Sequence, residues 1–95
     1  MSTEILLDGS AIKSEADFYL ELSKQRKLPD YFGNNLNALW DVITGFEICS
    51  PNSPVDLVWD NSIESKKHLG NVFDELVGLL REAEEKKIGL KLVLR

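Results

Sequence analysis

The sequence predicts a small α/β fold: a single domain over residues 1–95 in which a three-stranded parallel β-sheet packs against helices. Three observations carry this. Strand-like apolar runs recur at 4–8, 54–59 and 90–94, and the stretches between them have helical periodicity. Strands that alternate with helices pair in parallel, through right-handed crossovers. The chain has the length of one domain, with no internal repeat, linker or low-complexity segment to divide it.

Each element has its own signal. Ile5, Leu6 and Leu7 are consecutive apolar residues, as in a strand covered on both faces, and Gly9 ends the run. Ser14 is placed to cap a first helix, with Asp17 in its first turn. Ala16, Phe18, Tyr19, Leu22 and Leu28 make its apolar side, and Lys24, Arg26 and Lys27 sit at its C-terminal end, where cations suit the helix dipole. Gly33-Asn34 offers a positive-φ turn, and Asn34 or Asn35 caps a second helix. Leu36, Leu39 and Ile43 form that helix's apolar stripe, and Gly45 is placed as its C′ residue.

Residues 47–53 read as a polar connection, with Cys49 an incidental loop thiol. Val55, Leu57 and Val58 mark the second strand. A short helix is expected over 61–69, and Asn71 should cap a longer one whose Phe73, Leu76, Val77, Leu80 and Ala83 face the core. Gly78 interrupts this last helix, either at a cost in stability or to allow close packing. Leu90, Leu92, Val93 and Leu94 complete the sheet.

Composition excludes several functions. With one cysteine, no internal disulfide forms, which fits a reducing compartment. The N-terminus lacks a signal-peptide pattern and no apolar run is long enough to cross a membrane, so the expected setting is cytoplasmic. His68 is the only histidine and Cys49 the only thiol, and the six glycines are scattered. Neither a catalytic dyad, a metal cluster nor a phosphate-cradling loop can be assembled, so neither enzyme activity nor a cofactor is expected.

The net charge of −5 is unevenly distributed. From Leu28 to Ser65 there are six acids and no base; residues 1–27 carry five acids against four bases, and residues 66–95 carry seven bases against five acids. Such a layout disfavours nucleic acid and favours a cationic partner, unless the acidic surface serves only solubility.

The stretch from Leu28 to Phe46, LPDYFGNNLNALWDVITGF, is the most informative. On the second helix Asn37, Asp41 and Thr44 share a face opposite the apolar stripe, with Trp40 alongside. An acid near a helix C-terminus is unfavourable, and no base lies nearby in sequence. Either Trp40 is core and Asp41 a chance surface acid, or the two belong to a recognition surface. The run from Leu28 to Asp41, with Thr44-Gly45 after it, closely resembles the barstar family, intracellular inhibitors of barnase-type ribonucleases; the likeness extends more loosely over nearly the whole chain.

The resemblance implies a barstar-like fold and a basic ribonuclease as partner. From the charge layout and the lack of a spanning apolar run, no direct contact with nucleic acid or membrane is expected, and the free state is expected to be monomeric. The resemblance further implies that Asp41 enters the nuclease cleft in place of a phosphate and that Tyr31 lies against a catalytic residue. Asn35, Asn37, Trp40, Thr44, Gly45 and Phe46 would line the contact, and Glu82 would be an outlying one. Taken on its own, Glu82 instead pairs with Lys86 at i, i+4. The resemblance also places Ser53-Pro54 where the family has a cis proline. Asn37 and Lys86 stand where the family's best-known member has acids, and Phe46 where it has a tryptophan. These departures leave open a different nuclease, or a non-inhibitory adaptor using the same acidic surface on another basic protein.

Overall fold

The computed structural model describes residues 3–29 and 32–95. The order is β1 (Thr3–Asp8), a 3-10 turn at Gly9–Ala11, α1 (Glu15–Gln25), α2 (Leu36–Thr44), β2 (Val55–Asp60), α3 (Ser62–Leu69), α4 (Asn71–Glu85) and β3 (Leu90–Leu94). The strands form one parallel sheet in the order β1-β2-β3, so β2 is central.

The register explains the core. Ile5, Leu57 and Leu92 lie side by side across the sheet, as do Leu7, Trp59 and Leu94, and these rows face the helices. The alternate row, Leu6, Val58 and Val93, points the other way. Consecutive apolar residues in β1 therefore do not mean burial on both faces: Leu6, on an edge strand, is 42% exposed, whereas Val58 of the same row on the central strand is buried. The β3 edge is covered differently. The Leu92 N–H donates to Glu84 Oε1 at 3.2 Å and Arg81 Nη1 donates to the Leu92 carbonyl at 3.2 Å, so side chains of α4 occupy groups that an incoming strand would need.

Ser14 caps α1, its Oγ accepting from the Asp17 N–H at 3.2 Å while the Lys13 N–H donates back to Asp17 Oδ2 at 3.0 Å. Phe18, Tyr19 and Leu22 are buried, but Ala16 is exposed. An aromatic chain crosses the core: the Phe73 ring meets Trp59 at 5.0 Å, Trp59 meets Phe18 at 5.1 Å, Phe18 meets Tyr19 at 5.6 Å, and Tyr19 meets Phe32 at 5.5 Å. It ends on the connection that leads into α2.

Three local expectations change. The 47–53 connection is not merely polar: Ile48 and Cys49 are buried in the core, and burial raises the Cys49 thiol above its ordinary range, Arg26 opposing that shift in part. α4 begins at Asn71, with Gly70 at the cap position and no side-chain cap. No cis peptide bond occurs among the described residues, so Ser53-Pro54 is trans. The short helix expected over 61–69 is present as α3, and Phe73, Leu76, Leu80 and Ala83 of α4 are buried, with Val77 partly so.

Gly78 is exposed, and a Cβ there would meet nothing within 4 Å, so it serves no close packing. Gly78→Ala should raise unfolding stability by about 1 kcal/mol, the helix-propensity difference. Urea unfolding checks this; a loss of stability would mean that the helix backbone at 78 is constrained.

Candidate protein-binding site

α2 places the sequence-predicted residues. Asn35 is its N-cap: Oδ1 accepts from the Ala38 N–H at 2.8 Å, and Nδ2 donates to the Gly33 carbonyl at 3.1 Å. Asn34 takes the turn's positive φ of 50°, as the Gly33-Asn34 pair suggested. Leu39, Val42 and Ile43 are buried and Leu36 partly so, which fixes the helix rotation. That rotation leaves Asn37 and Asp41 exposed, with Trp40 and Thr44 partly buried beside them. Thr44 Oγ1 donates to the Trp40 carbonyl at 2.8 Å, so its hydroxyl is engaged within the helix.

The Asp41 carboxylate makes no hydrogen bond or ion pair with any described residue. Of the six acids between Leu28 and Ser65, Asp60 is paired with Arg95 and Glu64 with Lys67, both bases supplied from outside the segment. The long base-free segment is therefore partly neutralised in three dimensions, and the charge presented by α2 is Asp41. A cleft of about 260 Å³ lies beside it, lined by Phe32, Gly33, Asn35, Asn37, Ala38, Asp41 and Val42. Phe32, Ala38 and Val42 give it an apolar floor. None of the three is expected in the partner contact from sequence, where Phe32 and Ala38 stand only as part of the family-like run.

The C-terminal end of α2 departs from expectation. Gly45 has φ −83° and the left-handed residue is Phe46, at φ 61°. The Glu47 N–H reaches the Val42 carbonyl at 3.0 Å and the Phe46 N–H reaches the Ile43 carbonyl at 3.3 Å, the paired bonds of a Schellman ending. Phenylalanine thus occupies the position where glycine is favoured. Gly45 is needed for another reason: a Cβ there would lie 2.8 Å from the Asp41 carbonyl oxygen. The Phe46 ring is 54% exposed. Phe46→Gly removes a left-handed cost of ~1–2 kcal/mol and adds ~0.5–1 kcal/mol of glycine flexibility. The expected result is a gain of roughly 0.5 kcal/mol in chemical unfolding together with weaker partner binding. Lower stability would place the Phe46 ring among the structural contacts.

Glu82 is exposed on α4 and does not pair with Lys86. Lys86 instead lies with Nζ 5.7 Å from the centre of the Trp40 ring. Tyr31 lies outside the described residues. The described structure thus gathers Asn35, Asn37, Trp40, Asp41, Thr44, Gly45 and Phe46 on α2 and its two ends, while Glu82 stands on a separate helix.

A family model described as Barstar (barnase inhibitor) matches residues 3–95, and the chain belongs to that family. It is also 33% identical over 82 residues to a Bacillus subtilis (strain 168) protein named "Putative ribonuclease inhibitor YrdF", an alignment that covers 86% of each chain.

Proposed function

We propose that this protein inhibits a ribonuclease by seating the exposed face of α2 in the enzyme's basic cleft. Asp41 carries the reading. It is an exposed carboxylate without a described partner, held on a short helix whose opposite side is locked into the core. A cleft built to hold phosphate offers cationic donors, and a carboxylate on a rigid helix satisfies them without being cleaved. Trp40 and Phe46 supply aromatic area beside it, the kind of side chain enriched where binding energy concentrates. The cleft lined by Phe32, Ala38 and Val42 offers room for a partner side chain next to Asp41. Family membership and the name of the Bacillus subtilis relative support the same reading.

The test is titration of RNA cleavage by purified barnase, and by other small secreted ribonucleases, with this protein. Cleavage should fall to background at one equivalent. Full cleavage with excess protein, and no detectable complex, would reject the reading. Association should also slow as ionic strength passes about 0.1 M, where the Debye length is ~10 Å. A rate indifferent to salt in stopped-flow measurements would remove electrostatic steering from the mechanism.

A further inference from the structure

Lys86 ends α4, where a lysine would ordinarily extend into water and complement the helix dipole. Here its ammonium lies 5.7 Å from the centre of the Trp40 ring. Trp40 is on α2, next in sequence to Asp41 and one turn beyond Asn37. The lysine forms no ion pair with any described carboxylate. Asp41 and Lys86 therefore do not neutralise each other, and the face presents a negative and a positive group that are both available. The aromatic ring holds the ammonium in place, which lowers the ordering cost of using it in a contact. Both ends of Lys86 are tied down: the following residue, Lys87, takes a left-handed φ of 56°, and the N–H groups of Lys86 and Lys87 bond to the Ala83 and Glu84 carbonyls at 3.1 Å each.

We propose that Lys86, laid on Trp40, is a selectivity residue of this face, and that its preferred ribonuclease carries a carboxylate at the rim of its cleft opposite the lysine. The complementary surface is a basic centre facing Asp41 with one acid to the side. A nuclease with a cation at that rim position is repelled by Lys86, and discrimination follows from like-charge contact as much as from attraction. This rests on the ribonuclease-inhibitor reading.

The probe is barnase together with barnase variants that carry Glu or Lys singly at each surface position around the RNA cleft. Inhibition constants are measured with the wild-type chain, Lys86→Met, Lys86→Glu and Asp41→Ala. Methionine keeps an aliphatic contact with Trp40, and thermal melts confirm that each variant is folded. At one or more rim positions, Glu should tighten wild-type binding about fivefold. Lys86→Met should abolish that gain, and Lys86→Glu should reverse it and favour Lys at the same position. If no rim position couples to residue 86 by more than about twofold while Asp41→Ala still weakens inhibition, the proposal fails and the inhibitor reading stands. If neither the wild-type chain nor Lys86→Glu binds barnase, any variant or the other small secreted ribonucleases, the inhibitor reading fails and takes this proposal with it.

Discussion

Asp41→Ala should weaken ribonuclease binding by about 2 kcal/mol or more, roughly thirtyfold in Kd, while leaving the protein folded. The size follows from what remains in the complex. Removing the carboxylate strands the partner's cations in a desolvated cleft without a counter-charge, and that penalty adds to the lost attraction. Stability should move the other way. Asp41 lies in the last turns of α2, where the dipole disfavours an acid by ~0.3–1 kcal/mol, and alanine is the better helix former. Its carboxylate holds no described group in place, so the fold loses nothing. Calorimetric titration against the nuclease and urea unfolding of the free protein separate the two effects. Normal affinity with lower stability would show Asp41 to be structural.

Gly9→Ala should lower stability by about 3 kcal/mol, at the upper end of what overpacking costs, and lower Tm by about 15 °C for a domain of this size. A Cβ at Gly9 would overlap the backbone carbonyl oxygens of Asp60 and Asn61, and neither atom belongs to a side chain that can swing aside. Asn61 already holds a left-handed φ of 51°. The Gly9 carbonyl is also engaged, accepting from Ser65 Oγ at 2.7 Å, while Ser65 accepts from Trp59 Nε1 at 2.9 Å. Ser65 is fully buried, so displacing Gly9 would strand polar groups as well as shift the strand ends. A melting temperature within a few degrees of wild type would show that this joint can yield. The site on α2 is built from other elements, so the folded fraction of the variant should bind normally.

Periodicity and turn chemistry were enough to determine the elements. The apolar runs, the Ser14 and Asn35 caps and the stripe on α2 are local signals, and local geometry alone makes them readable. The run from Leu28 to Asp41 likewise pointed to the family, because its unusual residues are contiguous in sequence. Only the tertiary structure decided the rest. Whether Leu6 is covered depends on which strand lies at the sheet edge and on where the helices pack. Whether Cys49 is a loop thiol or a core residue depends on how a connection folds back. Phe46 rather than Gly45 takes the left-handed position because the helix runs one residue further than the glycine alone indicates. Charge shows the difference most clearly: counted along the chain, the segment from Leu28 to Ser65 is purely acidic, and although Glu64 pairs locally with Lys67 one turn on, it is the fold that brings Arg95 to Asp60 and turns Lys86 onto Trp40 rather than toward Glu82. Electrostatic pairing acts over a few ångströms of space, whatever the separation in sequence, and so the free charge of the face was settled by packing.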